Sequence, residues 1–455
     1  MDDSDVIIAK GNNPTSAFLN GVDLIGGFKT IIATNDTVFI KFALDDIQGF
    51  PTHSNIEILN LIIKECKDAG ARQIHVGITR EIDLVINLGD VLESLGAHLS
   101  YLDDEEGYTK FTLEESKEII SIPELVLKCD KFIIFNQVNV HPLFQFSLAL
   151  QNIFSFIKSE SRNIMQQGEI SEKKIQEDKY KKDLTRKILD VSTIRKPDLI
   201  INDIFYVLEG AGPNIYAESN LKTTNLMIFS SDLVTIDYST LKILGIDPFT
   251  NDLIESTVKR KLTSMDLENL NFIGEPIEGS KFQIKPCEKN LELLNVYGTD
   301  IKTGVMCSGC FERAYHLLNF MNTMMTKDLK YVTKQSILIG HNPKTPENNK
   351  NIILFGDCAI NSTKNYDFNT IKIKKEVIPL MELIKKRFKK ENVKNRSIKR
   401  IEKKNKRILS LSGCPPDLQQ VYEALRDFYT KKDTPNLHFY LESLKRMNKE
   451  RERGS

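Results

Sequence analysis

The sequence predicts an α/β protein: a mostly parallel sheet flanked by helices over residues 1–285, followed by a smaller α/β C-terminal unit over residues 286–455 that carries four characteristically placed cysteines. Three observations predict it. Short runs such as DVIIA, TVFIKFAL and QIHVGIT are apolar at almost every position and rich in Val and Ile, which suits strands buried on both faces. Helical patterns alternate with those runs, and such alternation implies parallel strands joined by crossover helices. After residue 286 the alternation resumes, but its strands run into cysteines.

The elements follow in order. TSAFLNGVDLI reads as a helix closed by Gly26 and Gly27, and SNIEILNLIIKECKDAG as one capped near Ser54 and ended by Gly70. HLSYLDD and KFIIFNQV continue the sheet, and PLFQFSLALQNIFSFI reads as a helix. The polar stretch KSESRNIMQQGEISEKKIQEDKYKKDLTRK reads as an exposed loop followed by a solvated helix. PDLIINDIFYVLEGAGP and NLMIFSSD return to the sheet, with a helix near LVTIDYSTLKILG. The second unit contains VMCSGCFERAYHLLNFMNTMM, the strands SILIG, NIILFGDC and RILSLSGC, and the helices PPDLQQVYEALRDFY and NLHFYLESLKRMNKERE. Between its strands, residues 372–407 hold sixteen Lys or Arg against four Asp or Glu and read as an inserted basic helix.

Composition narrows the function. A chain of 455 residues that is 41% hydrophobic folds without a staple, so a metal here is functional or local. Lys plus Arg and Asp plus Glu are both 62, so no global field draws the chain to nucleic acid or a membrane. The start, MDDSDVIIAKGNNP, lacks the basic and apolar segments of a secretory signal, and the longest apolar runs are broken by charge. A cytoplasmic location is expected. The motifs GxxxxGK[ST], HExxH and GxSxG, and a GxGxxG after a strand, are all missing, so the common nucleotide, metalloprotease and hydrolase readings lack support.

Cys66, Cys129, Cys287, Cys307, Cys310, Cys358 and Cys414 are an odd, sparse set, and in a reducing compartment close cysteines hold metal or do redox chemistry more often than they form disulfides. Cys307 and Cys310 sit at a helix start, Cys358 ends NIILFGDC, and Cys414 ends RILSLSGC before Pro415 and Pro416, which suit an opening helical turn. In a parallel layer, strand carboxyl ends and helix amino ends share one edge, so these four residues can converge. The positive helix end stabilises thiolates there. Gly309, Gly356 and Gly413 permit close backbone approach. Taken singly, Cys358 and Cys414 also read as small buried hydrophobes. Zinc sites favour two short ligand pairs, whereas here one pair meets two distant single cysteines. CSGCFE, GDC and GCPP resemble the cluster pattern in the small subunit of nickel-iron hydrogenases, which implies a [4Fe-4S] cluster. Structural zinc and a metal-free redox CxxC are the alternatives.

LNGVDLIGG with VFIKFAL, NLIIKECKDAGARQIHVG, and VLEGAGP with SSDLVTIDYSTLKILGIDP together resemble the family called domain of unknown function 362, over the first three fifths of the chain. Lys41, Glu209, Gly210, Gly212, Pro213, Asp232 and Asp237 match its pattern. Ala43 stands where asparagine is usual. Gln137, Asn139 and Gln151 stand where the family carries lysines, although His141 and Asn152 match. The resemblance implies a fold and an association with iron-sulfur chemistry, and the missing lysines imply a lost or altered anionic ligand.

Lys41, His141, Glu209, Gly210 and Gly212 are therefore candidate substrate-binding residues for a small anion, with Glu209 as a base or metal ligand. EGAGP could offer backbone N–H groups to an anion or be an ordinary tight turn. His141 could equally be a structural hydrogen-bonder and Lys41 could reach solvent. The basic segment lacks aromatic residues apart from Phe388, so nucleic acid is not expected there. The expected function is an iron-sulfur protein acting in electron transfer with a redox partner protein, or an oxidoreductase acting on a small anion. The alternative is a scaffold with structural zinc and a partner-binding basic helix.

Overall fold

The computed structural model describes residues 2–44, 49–79, 88–104, 107–166, 177–263, 266–332, 334–346, 351–369 and 407–454. The basic segment at 372–406 lies outside the described residues. The chain forms an α/β structure with two main sheets. The first has eight strands: β1 (Asp5–Lys10), β2 (Thr37–Phe42), β3 (Gln73–Ile78), β4 (His98–Tyr101), β5 (Lys131–Gln137), β6 (Leu199–Asp203), β7 (Leu226–Ser230) and β8 (Asn271–Gly274). Their spatial order is β8-β1-β7-β6-β5-β2-β3-β4, and only β7 runs antiparallel to its neighbours.

Both faces of this sheet are covered, which is why its strands are not alternating in sequence. Val38, Ile40 and Phe42 of β2 and Ile133 and Phe135 of β5 pack with Phe18 and Ile62 of the helices Pro14–Leu24 and Ile56–Ala69. Phe39, Phe132 and Ile134 point the other way, into a core that continues through Tyr315 and Leu318 to Ile337 and Ile353 of the second sheet. The first helix is closed by a capping box between Asn13 and Ser16, and the second is capped by Asn55 and ends at a left-handed Gly70.

The second sheet has four strands in sequential order, all parallel: β9 (Thr299–Thr303), β10 (Gln335–Ile339), β11 (Asn351–Phe355) and β12 (Arg407–Leu411). Helix Ser308–Met324 follows β9, and helices Leu418–Phe428 and Pro435–Gly454 close the chain.

Four local expectations need correction. PLFQFSLALQNIFSFI is not one helix: His141 pairs with Gln145 in a tight hairpin with Gln145 at φ 66°, and only then do short helices Ala149–Asn152 and Ile153–Phe156 form. The hairpin keeps His141 facing the protein interior. Helix Glu177–Ser192 is docked rather than solvated, since Leu184, Ile188, Leu189 and Val191 are buried. The strand NIILF ends at Phe355, so Cys358 lies in the first turn of helix Gly356–Ser362; likewise the helix in PPDLQQVYEALRDFY starts after Asp417, not at the prolines.

Candidate functional site

The thiol corner is built at the carboxyl edge of the second sheet. Cys307 follows β9 and is the N-cap of helix Ser308–Met324, Cys310 lies in its first turn, Cys358 follows β11 and Cys414 follows β12. Strand β10 separates β9 from β11, so the chain after β9 must cross its end. Val305 and His341 form a β-bridge there, and a Cβ on Gly304 would sit 2.1 Å from the His341 carbonyl oxygen, so only glycine admits the crossing. The loops beyond β11 and β12 are tied to each other: the Asp357 N–H donates to the Gly413 carbonyl at 3.1 Å, and the Gly413 N–H donates to Asp357 Oδ1 at 3.0 Å. A Cβ on Gly309 would come within 3.1 Å of Pro415 Cγ, and one on Gly356 within 3.3 Å of Cys310 Sγ. The CSGC, GDC and GCPP segments thus touch.

Cys307, Cys310 and Cys358 are buried and Cys414 is half-buried. Burial and the neighbouring thiols suppress the ionisation of Cys310, Cys358 and Cys414. The hydrogen bond from Cys307 and burial push Cys310 far up, with the charges of Cys307, Cys358 and Cys414 adding to it. Burial, then Cys414, Cys307 and Asp357, raise Cys358 to about 12, and burial, Cys307 and Asp357 raise Cys414. Among the described residues no group of three or more His, Cys, Asp or Glu is close enough to grip a metal ion as it stands. Cysteine thiols are soft donors that bind a cation as thiolates, and the helix amino end offers N–H groups to the charge of a thiolate.

The same helix lines two cavities with two stripes. Tyr315, Asn319 and Asn322 border one of about 1120 Å³, whose opposite wall includes Gly210, Lys285 and Cys287. Glu312, Arg313, His316, Phe320 and Met324 border another of about 700 Å³, whose opposite wall comes from the first sheet and the loops after it: Asn136, Gln137, His141, Gln151 and Asn152. This second cavity lies beyond the carboxyl end of β5, the edge where open parallel sheets bind ligands.

Its polar end is ordered by explicit partners. His141 Nδ1 accepts the N–H groups of Leu143 at 3.2 Å and Phe144 at 3.4 Å, which places the ring proton on Nε2. Nε2 lies 3.6 Å from Glu312 Oε1 and 3.2 Å from Gln151 Nε2; with the ring proton on Nε2, the Gln151 amide has to turn over to present its oxygen as the acceptor. Gln166 Nε2 reaches Glu312 Oε2 at 3.4 Å. Burial pushes the Glu312 carboxyl up, but the hydrogen bond and charge of His141, then His316 and Arg313, outweigh it and hold it near 2. Burial lowers His316 to about 4, against the pull of Glu312, so its Nδ1 is free to accept from the Tyr216 hydroxyl at 2.8 Å. Arg313 has no hydrogen-bond or ion-pair partner among the described residues.

Asp237 fixes the cavity's rear wall. Its two carboxylate oxygens accept the Ala149 N–H at 2.9 Å and the Leu150 N–H at 2.8 Å, capping the short helix that presents Gln151 and Asn152. Asn202 donates to Asp237 Oδ1 at 3.3 Å and accepts from Asn136 at 3.1 Å, and Asn152 donates to Asn136. Asp232 has a different task, capping helix Leu233–Ile243 through Val234 and Thr235.

Each of the sequence-derived anion candidates has its own partners within the fold. His141 lines the cavity beside Glu312. Lys41 is 1% exposed, not extended to solvent, and donates to the Phe42 carbonyl at 2.8 Å. Glu209 accepts the Lys285 N–H at 2.9 Å and faces Lys222 at 3.6 Å. The Gly210 N–H is taken by the Lys285 carbonyl and the Ala211 N–H by Glu209, so neither is available to an anion; Gly212 precedes a cis Pro213. Gln137 and Asn139 serve the fold: Gln137 donates to the Tyr206 carbonyl at 2.7 Å, and Asn139 donates to the Pro51 carbonyl and accepts the Leu208 N–H. Sequence reasoning missed Glu312, Arg313 and His316. Their signal is a charged and imidazole-bearing stripe at i, i+1 and i+4 in a helix whose other positions are mostly buried.

The fold and the site define an α/β protein with a thiol corner on a second parallel sheet and a polar cavity one helical turn away. Residues 38–242 match the family described as Domain of unknown function (DUF362), a span that includes β2 to β7, His141 and Asp237 but none of the four corner cysteines. Two solved structures share slight similarity. One is the lactate racemase apoprotein from Thermoanaerobacterium thermosaccharolyticum, with a TM-score of 0.30 and 10% identity over 44% of this chain and 51% of that one. The other is a Thermotoga maritima protein, with a TM-score of 0.29 and 12% identity over 47% and 55%. The chain thus spans about half the length of each, and neither likeness carries an argument. A search of curated proteins finds no match. Among the described residues no helix is long and apolar enough to cross a membrane.

Proposed function

We propose that this is an iron-sulfur protein in which Cys307, Cys310, Cys358 and Cys414 hold a [4Fe-4S] cluster, serving electron transfer to a redox partner protein or to a small anion bound nearby. The observation that supports the reading is that the CSGC, GDC and GCPP segments, which follow three strand ends separated by many residues, touch at the amino end of one helix. The cluster would supply one-electron chemistry. The chain's own part is to present the sulfurs, to offset thiolate charge with the helix amino end, and to bury the corner from water. One short pair plus two single cysteines supports a cluster over structural zinc, which favours paired ligands.

The test is metal and sulfide analysis of protein purified without oxygen. The expected product is brown, with about four iron and four acid-labile sulfide per chain, and loses both when Cys310 or Cys358 is changed to Ser. Colourless protein with stoichiometric zinc and no sulfide would overturn the reading.

A further inference from the structure

We propose that the cavity of about 700 Å³ between the first sheet and helix Ser308–Met324 is a binding site for a small organic carboxylate with a flat apolar body, its carboxylate held by Arg313. The proposal rests on the cavity itself and stands whether or not the cysteines carry a cluster.

Three features choose the ligand. The first is charge. Glu312 and Arg313 are neighbours on the cavity wall, but their situations differ: both Glu312 oxygens are engaged, Oε1 facing His141 Nε2 at 3.6 Å and Oε2 receiving Gln166 at 3.4 Å. Arg313 has no hydrogen-bond or ion-pair partner among the described residues, and it is only half-exposed. A guanidinium with no carboxylate within ion-pair distance among the described residues is a fork open to a planar anion, which a carboxylate matches with two parallel hydrogen bonds.

The second feature is the polar surround. Asn136, Gln151 and Asn152 border the same end of the cavity, and Asn136 and Asn152 are held by the Asp237 network rather than left to adjust. Fixed neutral amides orient a polar head without competing for the cation.

The third is the far end. Phe320 stacks on Tyr422 with ring centroids 4.0 Å apart and meets Tyr440 edge-on at 5.3 Å, and Leu418 and Leu444 complete that wall. An aromatic and aliphatic wall favours a flat apolar body over a second charged group. The volume suits a ligand larger than acetate, within the usual range for organic-ligand pockets.

The probes are 2-naphthoate and its neutral counterpart 2-naphthalenemethanol, titrated into the full-length protein as purified. The chain has no tryptophan, so naphthalene fluorescence can be excited where the protein does not emit. Naphthoate should bind saturably and at least about tenfold more tightly than the alcohol, because only the acid forms charge-assisted bonds to the guanidinium. Arg313→Gln should weaken naphthoate by about ten- to a hundredfold and leave the alcohol unchanged, while Arg313→Lys should retain part of the preference, having charge without the fork. The comparison of the two probes on the unaltered protein needs no variant, so poor folding of a variant does not remove the test. Equal affinity for both probes, no saturable naphthoate binding, or naphthoate binding indifferent to Arg313→Gln in folded protein would each overturn the proposal. Iron content is not a readout here, so its failure is separate from failure of the cluster reading.

Discussion

Glu312 Oε1 lies 3.6 Å from His141 Nε2, joining the helix that begins at the cysteines to the loop after β5 of the first sheet. The contact crosses between the two main sheets' territories. It is also oriented, because His141 Nδ1 is occupied by two backbone N–H groups and only Nε2 can turn to the carboxylate. His141 and Glu312 come from segments 171 positions apart, and what brings them together is the shared core through Tyr315 and Leu318.

Replacing Glu312 by Gln should therefore cost stability in a pH-dependent way. The folded carboxyl is held near 2, below the roughly 4.3 of an unfolded glutamate, so its contribution is fully present above about 4.3 and is lost as pH falls towards 2. Urea denaturation at neutral pH should find Glu312→Gln weaker by about 1–2 kcal/mol, allowing for the side chain's partial exposure. The gap between the two proteins should close as pH is lowered through about 4 to about 2. A pH-independent gap would mean that packing, not charge, is what Glu312 contributes.

How much of this was legible beforehand follows from which forces act locally. The strand runs and their crossover helices announce the first sheet, because burial on both faces writes unbroken apolar segments such as KFIIF. Strand β9, in the sequence TDIKT, was missed: only Ile301 among its five residues is deeply buried, so it carries no apolar run. The thiol corner could be placed at a sheet edge because cysteines end strands and start helices, a rule of topology. The crossing over β10 could not, since the clue is Gly304 beneath the His341 carbonyl, and a glycine in a loop has many readings. Asp237 enters from the sequence only as a match to the family's pattern, and its role depends on meeting Ala149 and Leu150 from a segment that reads as a continuous helix.

A second prediction concerns Asp203, which is fully buried at the end of β6. Oδ1 accepts the Phe205 N–H at 2.9 Å, whereas Oδ2 and the Oε1 of Gln137, its register partner on β5, have no hydrogen-bond partners. Burial raises the carboxyl to about 7 despite the Phe205 bond. Because the folded value lies above the roughly 3.9 of an unfolded aspartate, the carboxyl weakens the fold progressively as pH rises from about 4 through about 7. Asp203→Asn keeps an acceptor for Phe205 and removes the ionisation. It should be more stable than the parent at pH 8 by about 1–3 kcal/mol, with the advantage vanishing towards pH 4 in thermal or urea unfolding. A loss of stability at pH 8 would show that the charged carboxylate is wanted where it is.

The last prediction separates the corner from the rest of the fold. Gly356 opens the helix that carries Cys358, with φ at 86°, a conformation that costs an L residue about 1–2 kcal/mol. Its added Cβ would also press within 3.3 Å of Cys310 Sγ. Both effects act where β11 delivers its thiol, and neither touches the first sheet. Gly356→Ala should therefore leave the far-ultraviolet circular dichroism spectrum intact while reducing iron and sulfide retained after anaerobic purification several-fold. The control is Gly27→Ala: Gly27 has φ 83° and no atom within 4 Å of its added Cβ, so it carries similar backbone strain far from the thiols and should retain parental iron. If both variants lose iron equally, general destabilisation is the cause; if only Gly356→Ala does, the loss reports the geometry around Cys310 and Cys358.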